Sequence, residues 1–261
     1  MIGAELRRAA LEISYKRKTG HLGSILSVID IIWCLYKYGM NIAVNNINDS
    51  DRNRFVMSKG HPALALYTVL YKMDLMSKAV YDTYCEHSGT KLAVHPKHSL
   101  DGVDFSTGSL GQGATFAVGA ALAAKIQNSS RKIYCLISDG ELNEGSVWEA
   151  FMFAGHHKLD NLVFLCDNNG QQALDKTSNV INVSNLRDRI TSFGLQYLSI
   201  DGHDCEALQN LFQMGETYNA TLFVDCKTIC GKGVSFMEYS IPWHYKSLAD
   251  EQLNQALSEL I

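Results

Sequence analysis

The chain has 261 residues, 46% hydrophobic and 19% charged, with a formal charge of −4, enough for one large or two small domains with an ample core. With 23 Lys and Arg against 27 Asp and Glu, and no run of five like charges, it lacks the basic face that nucleic acid or an anionic membrane demands. The opening MIGAELRRAALEIS is charged and amphipathic where a signal peptide needs an apolar run, so the expectation is a cytoplasmic protein with no nucleic-acid or membrane partner.

Leu6, Ala9, Ala10 and Ile13 recur at helical spacing, and SILSVIDIIWCLYKYG (24–39) repeats the pattern before a Gly stop. A further helix is predicted from Ser58 to Leu75, with Pro62 tolerated in its first turn. Residues 86–113 are rich in Gly and His with little periodicity and predict a long loop, which compact domains keep for function. The uncharged stretch Phe105–Ala124 is excluded as a membrane span by its four Gly and by Ser106, Thr107, Ser109, Gln112 and Thr115.

Next come a helix over 111–127, a strand over 132–138, a helix over 143–157 and a strand over 161–166. A helix over 186–193, a strand over 195–200, a helix from Cys205 to Met214 and a strand over 221–226 follow. A tail helix opens near Ser247 and Asp250 as caps. Short apolar strands alternating with helices predict an α/β fold: a doubly wound, mainly parallel sheet with helices on both faces, in a single domain over 1–261. Seven Cys, several inside apolar runs, read as reduced thiols. Cys226 and Cys230 have no second pair at finger spacing, so no zinc site is expected.

Ligands of doubly wound sheets sit at the carboxyl ends of the strands. One predicted strand ends in Ser138, Asp139, Gly140, Glu141, the next in Asp167, Asn168, Asn169, Gly170, Gln171. If these strands are neighbours, the Asp139 carboxylate, the Asn169 amide oxygen and a backbone carbonyl near Gln171 converge on a hard cation. Mg²⁺ suits such oxygen donors with room for phosphate. Gly140 lets the backbone approach that phosphate. On spacing alone, helix caps and turns explain the same residues.

The 30-residue interval from Asp139 to Asn169 resembles the thiamine diphosphate signature Gly-Asp-Gly followed by Asn, with Ser138 in place of the first Gly. The chain resembles the N-terminal, diphosphate-binding half of a transketolase split into two subunits. KTGHLGSILS (18–27), SKGHPALALY (58–67), STGSLGQG (106–113), SDGELNEGSVWEA (138–150) and GKGVSFMEYSIPWH (231–244) carry the likeness. It implies Asp139, Asn169 and the Gln171 carbonyl as ligands of Mg²⁺, or of Ca²⁺ or Mn²⁺, and Gly140 against the diphosphate. Gly108, Ser109, Leu110, Glu141, Asn169, His61 and His244 are implied around thiamine diphosphate.

The same resemblance implies that His21, His61, His95 and His244 are catalytic: His61 beside the diphosphate, His95 near the first hydroxyl of a ketose, and His21 and His244 around its third hydroxyl and carbonyl. Imidazoles suit the removal of a hydroxyl proton. His87, His98, His156, His157 and His203 match no family position and read as structural.

Only seventeen residues follow His244, so the pyrimidine-binding domain is expected on a partner chain, a C-terminal transketolase subunit in an α2β2 assembly. Sugars or sugar phosphates are the implied substrates. Glu144 resembles an interface glutamate that pairs with its symmetry mate, or is a solvated carboxylate at a helix start. Two alternatives are an E1α-like subunit of a 2-oxo acid dehydrogenase and a non-catalytic cofactor-binding subunit. Ser138, and Leu22 where Pro is usual, hint at the latter.

Overall fold

The structure is a computed structural model describing residues 2–87, 92–213 and 219–261. Five strands form one sheet: β1 (Arg54–Met57), β2 (Ile133–Ser138), β3 (Leu162–Asn168), β4 (Gln196–Asp201) and β5 (Leu222–Lys227), in the order β1-β2-β3-β5-β4. Every pairing is parallel. The helices are α1 (Ile2–Arg17), α2 (Leu22–Cys34), α3 (Ala63–Lys72), α4 (Lys78–Tyr81), α5 (Gln112–Ile126), α6 (Gly145–His156), α7 (Thr177–Val180), α8 (Leu186–Ser192), α9 (Cys205–Gln213) and α10 (Asp250–Glu259).

Alternation along the central strands divides the core in two. Tyr134, Leu136, Val163, Leu165, Leu222 and Val224 pack against α1, α2, α3 and α9, while Ile133, Cys135, Ile137, Leu162, Phe164 and Phe223 pack against α5, α6 and α8. Helices thus cover both faces of the α/β sheet, which is why β2 and β3 are continuously apolar. Leu22–Gly39 is the one helical stretch among the described residues long and apolar enough to cross a membrane, and 83% of it is buried inside the fold as a core helix.

Three boundaries differ from expectation. Residues 58–75 are not one helix: β1 precedes them, and α3 begins only after Pro62, whose missing N–H costs nothing at a helix start. α2 ends at Cys34 and continues to Gly39 as a π-turn. The tail helix is capped at Ala249, whose N–H donates to Gln252 Oε1 at 3.0 Å, rather than at Ser247, and Asp250 is its first helical residue. Met214, the expected end of α9, and residues 88–91 of the predicted 86–113 loop lie outside the described residues.

Candidate active site

The parallel strands deliver their carboxyl ends to one edge of the sheet. β2 and β3 are neighbours, with Ser138 opposite Asp167, so the two polar turns expected to cooperate do meet. Asp139 accepts from Gly140 N at 2.9 Å and from Gly170 N at 2.7 Å. Asn169 donates to Asp167 and accepts from Gln171 N, both at 3.0 Å. Gly170, at φ +75°, lets this turn double back.

A cavity of about 310 Å³ opens beside these turns, lined by His21, Ser24, Lys59, His61, Leu110, Ser138, Gly140, Gln171, Gln172, Leu174, His244 and Tyr245. A neighbouring cavity of about 390 Å³, bounded by Asp139, Arg187, Tyr197, Asp225 and Lys227, has no histidine among the described residues that line it. The four histidines from distant motifs form a ladder. Ring centroids are 5.0 Å apart for His244 and His21, 5.1 Å for His21 and His61, and 4.6 Å for His61 and His95. His21 caps α2 in the left-handed region, φ 62°, with its N–H on the His244 carbonyl at 3.0 Å.

Burial, then the neighbouring His244, His61, His95 and Lys59, push His21 down to about 4. Burial with Lys59 and His61 does the same to His244, also to about 4, and burial with His95 and Lys59 lowers His61. His21 and His244 are therefore neutral at pH 7. Asp139 moves the other way, to about 7, through burial and the adjacent Asp167, against the pull of Lys59 and the two glycine N–H groups.

The arrangement fits a metal-bound diphosphate. His95 Nε2 and Gln171 Oε1 are buried with no hydrogen-bond partner among the described residues, and buried polar atoms demand one. Asp139 is a buried carboxyl that a cation would keep ionised. A Cβ at Gly108 would meet the His95 ring at 3.3 Å and one at Gly140 the Gln172 side chain at 3.3 Å, so glycine lets those side chains pack closely on the two turns.

The remaining expected residues are distributed differently. Leu110 lines the cavity and Ser109 is exposed. Glu141, expected against the cofactor, is fully buried and accepts from Ser58 Oγ, from Gly111 N and from Ser138 N, the last two at 2.9 Å. It ties β1, β2 and the start of α5 together. Glu144 is exposed at the start of α6.

Two features escaped the sequence reading. Lys59 is buried in the cavity wall, paired with the fully buried Asp167; its signal was its place inside SKGHP, two residues before His61. His203, read as structural, belongs to a buried charge cluster: its Nδ1 lies 2.8 Å from Asp30, which also binds Arg7, and its Nε2 accepts from Ile229 N at 2.9 Å.

The family model described as "Transketolase, thiamine diphosphate binding domain" matches residues 2–260. One subunit of the apulose-4-phosphate transketolase of Phocaeicola vulgatus is 38% identical over 255 residues, covering 97% of this chain and 90% of that protein. The 6-deoxy-6-sulfo-D-fructose transketolase subunit SqwG of a Clostridium species is 35% identical, covering 98% and 93%. The crystal structure of transketolase from Campylobacter jejuni superposes with a TM-score of 0.87 at 33% identity, over 99% of this chain and 42% of that one. This chain spans about two-fifths of such a full-length transketolase. With the family fold, the motif turns and the histidine ladder in one place, the chain belongs to the transketolase family as a subunit built on its thiamine diphosphate binding domain.

Proposed function

We propose that this chain is the diphosphate-binding subunit of a two-chain transketolase, moving a two-carbon ketol unit from a ketose to an aldose. The observation that carries the reading is that His21, His61 and His244 of the histidine ladder line the same cavity as Ser138, Gly140 and Gln171 of the two turns that hold Asp139 and Asn169. Asp139, Asn169 and the Gln171 carbonyl would hold Mg²⁺ against the diphosphate, with the Gly140 backbone beside it. Bound thiamine diphosphate would supply a nucleophilic carbon that accepts and releases the two-carbon unit. His21 and His244, neutral at pH 7, would take the proton from the donor's third-carbon hydroxyl. His61 and His95 would orient the diphosphate and the donor's first hydroxyl. An anionic diphosphate in the cavity raises the imidazole values towards the working range.

Two relatives that this chain matches over nine-tenths of their length are themselves named as transketolase subunits, which supports a pyrimidine-domain partner and an α2β2 assembly. Leu174 and Tyr245, 79% and 65% exposed on the cavity rim, give a partner an apolar surface to cover. The relatives' named substrates carry a phosphate in one case and a sulfo group in the other, so a sugar with an anionic tail is the proposed substrate class. Seven free cysteines accord with a reducing cytoplasm.

The test is reconstitution with the partner chain, thiamine diphosphate and Mg²⁺, followed by a donor screen of phosphorylated, sulfonated and uncharged ketoses. Release of the shortened aldose is the expected result; none released from any ketose by the assembled complex would reject the proposal.

A further inference from the structure

The catalytic reading leaves the buried cation in the cavity wall without a task. Lys59 follows β1 and is locked in place by its backbone N–H, which donates to the Leu136 carbonyl at 3.1 Å. Its side chain is 9% exposed and lines the cavity, and it is the one Lys or Arg that does so among the described residues. Its ammonium donates to Asp167 Oδ2.

Asp167 does not depend on Lys59 for hydrogen bonds. It also accepts from Ser27 Oγ at 2.9 Å, from Asn169 Nδ2 at 3.0 Å and from Thr228 Oγ1, close to the capacity of a carboxylate. An ammonium has three donors, and Asp167 is the one side-chain partner the described residues give it. The others are free to face the cavity. A Mg²⁺ ion offsets most of a diphosphate's charge, but Asp139 adds a negative charge back. A fixed cation at low dielectric restores the balance.

We propose that Lys59 is a phosphate-binding residue whose ammonium bridges Asp167 and the cofactor's diphosphate. This rests on the reading above that the cavity takes thiamine diphosphate. Asp167 is then the positioning group, holding the flexible lysine stem so that its charge stays at the wall of the cavity. The pair selects a diphosphate over a ligand that lacks one.

The experiment is calorimetric titration, with thiamine diphosphate and Mg²⁺, of the complex reconstituted with the partner chain, using wild type, Lys59→Met, Asp167→Asn and the double variant. A lost charge-assisted hydrogen bond predicts Lys59→Met weaker than wild type by about 10- to 100-fold. The double variant leaves no uncompensated charge, so it serves where the single variant fails to fold. It is expected to bind at least about tenfold more weakly than Asp167→Asn. If Lys59 merely neutralises Asp167, the double variant instead matches Asp167→Asn, and the proposal is overturned. Wild type binding tightly with Lys59→Met within about threefold of it rejects this proposal alone. Wild type failing to bind thiamine diphosphate rejects the functional reading and this inference together.

Discussion

The N–H of Gly170 donates to Asp139 Oδ2 at 2.7 Å, so the turn after β3 hangs on the carboxylate that follows β2. One side chain therefore both shapes the second turn and offers the charge for a metal. Asp139→Ala should reduce cofactor affinity by at least about 100-fold, more than the loss of an outer-shell group. The fold should survive, with a melting temperature within about 4 °C of wild type. Calorimetry and a thermal scan check both; undiminished affinity contradicts the metal role.

His244 and His21 share a backbone hydrogen bond as well as a ring contact. Replacing either with Ala should lower kcat of the reconstituted enzyme by roughly 10²- to 10⁴-fold, the range for a lost acid or base. Cofactor affinity should change far less. A His244→Ala enzyme with near-normal turnover would remove that residue from the chemistry.

The same rings predict an acid sensitivity. Each has a folded-state value of about 4 against an ordinary 6.5, so the unfolded chain binds these protons first. The contribution of these two rings is intact above pH 6.5 and is lost as pH falls from there through about 4, and together they outweigh the opposite contribution of Asp139, whose folded value is raised to about 7. Denaturant titrations between pH 7.5 and 4.5 should show a falling midpoint. His21→Gln should flatten the slope, and an unchanged slope would contradict the assignment.

Arg7 and Asp30 are 6% and 4% exposed and joined by two hydrogen bonds. Asp30→Ala strands a buried guanidinium and should cost about 3–5 kcal/mol. Chemical denaturation measures it, and a loss below about 1 kcal/mol would show the cluster to be open to water.

Some of this was legible from residues alone. β2, β3 and β5 announce themselves because both faces of a central strand are buried, so IYCLIS and LVFLC need no polar positions. β1 did not: its four residues, RFVM, are too few to show a period and open on a charged side chain. The order of β4 and β5 is set by pairing geometry that local pattern does not carry. The histidine positions were legible through motif likeness, whereas His203 was not, since nothing near it in sequence announces an acid 173 residues away. Glu141 shows the reverse: a carboxylate inside a cofactor motif can be occupied by the protein's own hydroxyl and N–H groups.

The order β1-β2-β3-β5-β4 has a kinetic consequence. Arg54 pairs with Ile133, and Val163 with Leu222, so each neighbour beside the cavity must be fetched across a long stretch of chain. Such distant pairings are slow, because loop entropy is lost before contacts compensate for it. The helices α1 and α2 can form early, but Lys59, Asp139, Asp167 and Thr228 become neighbours only after β1, β2, β3 and β5 have all docked. In a refolding time course, far-ultraviolet ellipticity should therefore recover ahead of the capacity to bind cofactor, and the interval between the two signals is the time the sheet takes to assemble.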